Sequence, residues 1–169
     1  GEPMVVPRVT DIYAALPSLT GKIELEYEGE LRGAEQVARE LVRGAVASVF
    51  DPAFASVDTR TIVEWFEMGG ELDLSDMTPA GEIVERARGV QGLLAASAQA
   101  GLPKRPSAPL QAAAIDFVLE GLCSLKRISR AESGRLTAAE PRRKRGPERA
   151  VEIFDEEDLM PGGRKKYYN

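Results

Sequence analysis

The chain has no histidine and one cysteine, Cys123. A disulfide framework and a Cys/His zinc site inside the chain are thereby excluded. The commonest general base and the usual physiological pH switch are missing as well. Aromatic residues are scarce at 6%, and no apolar run approaches the roughly 18 residues that a membrane span needs. No signal-peptide pattern opens the chain, so a soluble cytoplasmic protein without membrane contact is the expectation. The phosphate-loop spacing G-x-x-x-x-G-K-[ST] is absent too. Thr20-Gly21-Lys22 is only a fragment of it, with Leu16 where a glycine is required and Ile23 after the lysine. There is no G-x-S-x-G, no metal-ligand cluster, and no nucleophile with a base nearby. No catalytic, cofactor-binding or metal residue can be named within these 169 residues, and the isolated chain is expected not to bind ATP.

What is present is charge and helical periodicity. Charged residues make up 29% of the chain and the net charge is −5, which argues against a general nucleic-acid binder. Residues 134–169 carry 9 Lys or Arg and 7 Asp or Glu in blocks. They include Arg142-Arg143-Lys144-Arg145 and Asp155-Glu156-Glu157-Asp158, with Phe154, Leu159 and Met160 flanking the acids. Such blocks cannot offset chain entropy by burial, so this stretch reads as a disordered, solubilising tail. The domain expectation is a helical body over 1–133 and the tail over 134–169.

Within the body, residues 9–16 read as a short helix capped by Thr10 and ended by Pro17. Residues 22–28 alternate, with Ile23, Leu25 and Tyr27 opposite Glu24, Glu26 and Glu28. That pattern is a half-buried strand with a solvated acidic face, because carboxylates about 7 Å apart along a strand do not converge on one ion. Apolar stripes at helical spacing follow over 34–50, 59–68, 79–100 and 108–133. Asp58 or Thr59 can cap the second of these, and Thr78-Pro79 opens the third. In the third, Ile83, Ala87, Val90, Leu94 and Ala98 form the core side, while Gly89 and Gly92 weaken its middle. Leu72 and Leu74 alternate with acids and can pair with 22–28 as a two-stranded ribbon. Trp65 shares a face with Ile62 and Phe66, which favours a core anchor over a ligand platform. The expected fold is mainly α, a small helical bundle with at most a two-stranded ribbon.

One run is distinctive as a phrase: Pro7-Arg8-Val9-Thr10-Asp11, Ala14-Ala15-Leu16-Pro17, Thr20-Gly21-Lys22 and Glu24-Leu25-Glu26-Tyr27-Glu28-Gly29-Glu30. It resembles the segment directly behind the AAA+ core of bacterial magnesium-chelatase I-subunit-like ATPases, relatives of the MoxR type. The likeness extends to about Gly70. It implies that this chain is the C-terminal assembly and coupling region of a longer ATPase, and an opening Gly-Glu-Pro rather than Met suits such a piece. By the same implication ATP and Mg²⁺ bind upstream of Gly1, the partners are that upstream core and neighbouring subunits of a ring, and a VWA-domain protein is a further partner. The alternative is a free-standing helical interaction adaptor with no link to ATP.

Two sets of residues stand out for these roles. Arg8, just before the first helix, reads either as a trans-acting residue that touches a neighbour's nucleotide or as a plain salt bridge or contact to the upstream core. On the last helix Ile115, Leu119 and Leu125 lie off the line of Leu110, Ala114, Phe117 and Leu122. A stripe that wide implies either an interface on its second side or a helix central to its own bundle.

Overall fold

The computed structural model describes residues 5–20, 33–131 and 133–139. These residues form six helices and a three-stranded antiparallel sheet. The expected strand over 22–28 and the tail from residue 140 lie outside the described residues.

Helix α1 spans Val9–Thr20. Its start is fixed by Asp11, whose carboxylate accepts the Arg8 backbone N–H at 2.7 Å while the Asp11 N–H donates to the Arg8 carbonyl. The cap therefore sits at Arg8 and not at Thr10. Pro17 lies within the helix, which persists through one more turn. Helix α2 follows Gly33 and spans Ala34–Ala53, with Pro52 in its last turn. It buries only Ala38, Val46 and Phe50 of a broad apolar stripe. Phe50 stacks on Phe54 at 4.5 Å and meets the edge of Phe117 at 5.8 Å.

Helix α3, Arg60–Glu67, begins where Asp58 accepts the Arg60 N–H at 3.0 Å. Ile62 and Phe66 are buried, and half-buried Trp65 packs edge-on against Phe66 at 4.9 Å. Trp65 also covers Gly70, where a Cβ would overlap its ring.

The expected helix over 79–100 is two helices, α4 at Ala80–Ala87 and α5 at Leu93–Ala98. Gly92 sits between them with φ +84°, a backbone region that L side chains disfavour, and the helical register restarts there. Leu93, Ala96 and Ser97 are consequently buried, whereas Leu94 and Ala98 are exposed.

Helix α6 spans Ala108–Ser124 and stops nine residues before the expected end, residue 133. Its last turn closes with the Lys126 N–H donating to the Cys123 carbonyl and the Arg127 N–H to the Leu122 carbonyl. Lys126 holds φ +58° at the position where glycine is usual.

The sheet comprises β1 (Leu72–Asp73), β2 (Ile128–Arg130) and β3 (Arg135–Ala138), in the order β1-β3-β2. Leu72 faces Leu136, and Ser129 faces Thr137. Two expectations are corrected here. The sheet has three strands instead of at most two, and residues 135–138 belong to the folded body, so the 133/134 boundary falls too early. Leu136 is fully buried between outward-facing Arg135 and Thr137, which anchors β3.

Helix α6 is the axis of the molecule. It packs against α1, α2, α4, α5 and β2, and Ile115, Val118, Leu119 and Leu122 lose all exposure in the process. The described helices include none long and apolar enough to cross a membrane.

Candidate functional site

The apolar stripe of α6 is interrupted by two carboxylates. Asp116 and Glu120 stand four residues apart, on one face of the helix, with side chains 4% and 3% exposed. Buried charges need partners. Arg130, from β2, supplies one: its Nη2 lies 3.1 Å from Asp116 Oδ1 and its Nε 2.6 Å from Glu120 Oε1. The first contact is an aligned hydrogen bond. The second is close but off the hydrogen-bond direction, an ion pair without donor–acceptor alignment. Helix α1 completes the cluster, because the Thr10 N–H and hydroxyl both donate to Asp116 Oδ2, at 3.1 and 3.4 Å. Arg130 Nη1 further donates to the Leu74 carbonyl at 3.4 Å. Three elements, α1, α6 and β2, and the residue that follows β1 thus meet on three buried charges.

Burial raises the pKa of Glu120, and Asp116 four residues away adds to this, with Arg130 opposing. Burial also works against the Arg130 charge, but Glu120 and Asp116 outweigh it and keep the guanidinium firmly ionised. Tyr13 is pushed up to about 12 by burial and by the Glu120 charge, so its hydroxyl keeps its proton at neutral pH. Cys123 is likewise pushed up to about 12, chiefly by burial, which leaves an unreactive thiol.

Above this cluster opens a cleft of about 590 Å³ between α1, α2 and the β2–β3 turn. Arg39 and Arg43 enter it from successive turns of α2, Lys126 from the end of α6, and Tyr13 from α1. The Arg39 guanidinium lies 5.7 Å from the Tyr13 ring centroid, in cation–π range. The Tyr13 hydroxyl is buried beside Arg43 and Glu120, which act on it through charge and hydrogen bonding, although neither contact is well aligned. Among the described residues no group of three or more Cys, Asp or Glu is placed to hold a metal ion.

Arg8 is engaged within this chain. Its guanidinium donates to the Thr78 carbonyl at 3.2 Å and to the Asp76 carbonyl, with Asp11 3.8 Å away, and its side chain is only 14% exposed. Ile115 and Leu119 are fully buried in the chain's own core, and Leu125, half-buried, caps α6 against that core. Ile115 and Leu119 are covered from within the chain, and Leu125 partly so.

The residues that do converge, Tyr13, Asp116, Glu120 and Arg130, were not singled out by sequence reasoning. A signal existed: two acids at i and i+4 inside an apolar stripe must be paired if the helix is central. Its cation, Arg130, carries no comparable mark. Comparison with known proteins returns no matching family model, no matching curated protein and no matching solved structure.

Proposed function

We propose that the chain is an assembly and coupling region that follows an AAA+ ATPase core of the magnesium-chelatase-like or MoxR class. In this reading the ATP and Mg²⁺ sites lie upstream of Gly1. The module links that motor to neighbouring ring subunits and to a partner protein, for which a VWA-type fold is the candidate. The compartment implied is the cytoplasm.

One observation carries the reading: the run that bears the resemblance is bolted to the body. Arg8 ties the chain just ahead of α1 to the carbonyls of Asp76 and Thr78, and Thr10 ties α1 to buried Asp116 on the central helix. Asp116 is in turn bridged to β2 by Arg130. A displacement of the incoming chain therefore passes to α6 and the sheet instead of being lost in a flexible joint, as coupling requires.

The test is the natural reading frame upstream of Gly1. Walker A and Walker B motifs within one AAA+ domain's length support the reading. A start codon at this point, with no ATPase ahead of it, overturns it in favour of a free-standing adaptor.

A further inference from the structure

We propose that the cleft over the Asp116–Glu120–Arg130 cluster is a binding site for a small oxyanion, a molecule that presents a phosphate or carboxylate group. This goes beyond the coupling role and does not depend on an ATPase preceding the chain.

The volume, about 590 Å³, falls inside the roughly 300–1,000 Å³ typical of small-molecule sites. Charge then selects the ligand class. Arg39 and Arg43 project into the cleft from successive turns of α2, and Lys126 reaches it from a third element. The acids that line it are Asp76 and Glu120, and Glu120 is engaged by Arg130 at the floor. Arg39 is shared with Glu35 at 2.8 Å, so Arg43 and Lys126 are the charges at the mouth that repel a cation and draw an anion in. Convergence from separate elements distinguishes this from the usual solvated helix face.

Lys126, in the left-handed position that ends α6, lines the cleft from an element separate from Arg39 and Arg43. The Tyr13 hydroxyl is buried between Arg43 and Glu120, which both act on it, and makes no well-aligned hydrogen bond to either. A pKa of about 12 keeps its proton in place at neutral pH. An oxyanion seated beside Arg43 competes with Glu120 for this hydroxyl's proton. The Arg39 guanidinium lies 5.7 Å from the Tyr13 ring centroid and packs beside it in the cleft.

The experiment is calorimetric titration of the whole 169-residue chain with inorganic phosphate and, separately, with citrate, at fixed low ionic strength and neutral pH. Saturable binding of one molecule per chain is expected for at least one probe. Phosphate alone identifies a phosphoryl ligand and citrate alone a polycarboxylate; either supports the site. Arg43→Gln should weaken that binding at least tenfold, and Tyr13→Phe about five- to tenfold, the loss expected for one hydrogen bond. Both positions lie outside the apolar core, and unchanged far-UV circular dichroism checks that each variant is folded. Absence of saturable binding by both probes at millimolar concentration overturns the proposal. So does binding that is equal in wild type, Arg43→Gln and Tyr13→Phe, since the anion would then sit elsewhere.

Discussion

Helices α2 and α6 look alike in the amino-acid sequence, each with an apolar stripe broader than one packed side requires. The structure uses them oppositely. Helix α6 is enclosed by α1, α2, α4, α5 and β2, and its stripe disappears into the chain's own core. Helix α2 packs mainly on α1 and α6 among the described residues, and it leaves Leu41 66% and Val49 58% exposed. A wide stripe therefore reports burial capacity without saying who provides the cover. The acids are the better guide. Helix α2 turns Glu35, Gln36 and Glu40 to solvent, whereas α6 retains Asp116 and Glu120 inside, each held by Arg130. A carboxylate kept within an apolar stripe marks the helix that the rest of the fold surrounds.

The largest effect should come from putting a charge at the centre of α6. Leu119→Glu places an unpaired carboxylate where no solvent reaches, at a cost of about 4 kcal/mol or more, comparable to the whole stability of a small domain. The expected result is loss of helical circular dichroism in native buffer. A folded Leu119→Glu chain with altered assembly would instead mean that this residue faces another molecule, and the contrast with α2 would collapse.

Next in size is the removal of the shared cation. Arg130→Met leaves Asp116 and Glu120 buried without a counter-charge and should cost about 3–5 kcal/mol in urea unfolding. Arg39 on α2 is also paired, with Glu35 at 2.8 Å, but that pair is solvent-exposed, and Arg39→Met should stay within about 1 kcal/mol of wild type. Equal losses for the two would show that burial is not what separates the helices.

Much of this architecture was legible in the sequence. The helical class, the start of α2 after Gly33 and the helix carrying Trp65 all follow from local patterns. The failures share a cause: elements shorter than the period that reveals them. Strand β3 offers four residues, Arg135–Ala138, with one buried leucine as its signal, and charge blocks further on masked it. The division of α4 from α5 turned on Gly92 taking positive φ, which composition signals only as a weak point. The Arg130 partnership joins residues 14 apart across a turn, and no spacing rule reaches that far.

A third test is steric. Gly121 lies in α6 with its Cα against Phe50 of α2, and a Cβ there would overlap the ring. Gly121→Ala should cost about 1–3 kcal/mol as the ring is forced aside. A neutral Gly121→Ala would mean that α2 can slide on α6, and the close approach would be incidental.

A smaller effect is read by its sign. Burial raises the Glu120 pKa in the folded chain. Between the ordinary glutamate value and the raised one, the folded state holds a proton that the unfolded state has released, so stability falls as pH rises through that window. Glu120→Gln should remove this slope. Exposed Asp58 acts in the other direction: hydrogen bonds from Arg60 lower its pKa to about 2, and its contribution is lost as pH falls from the ordinary aspartate value towards 2. The two windows do not overlap, so the wild-type minus Glu120→Gln difference curve isolates the buried site. A difference curve with the opposite slope would show that Arg130 holds Glu120 ionised.

The smallest effect bears on what α2 lacks. Gly44 lies in the middle of α2, and a Cβ built there meets no atom within 4 Å. Glycine in an open helical position costs about 0.5–1 kcal/mol relative to alanine, because it has the most backbone freedom to lose. Gly44→Ala should therefore stabilise the chain by about that amount, the opposite sign to Gly121→Ala one helix away. Gly44 adjoins the exposed line of Leu41, Ala45 and Val49, so the same variant also reports on that face. If the outer side of α2 stays in water, the gain appears in thermal unfolding at every protein concentration. If another molecule packs closely on that side, the added methyl group blocks it, and the gain shrinks or reverses as concentration rises. A destabilised Gly44→Ala at high dilution would fit neither case and would mean that the face is covered from within the chain, as α6 is.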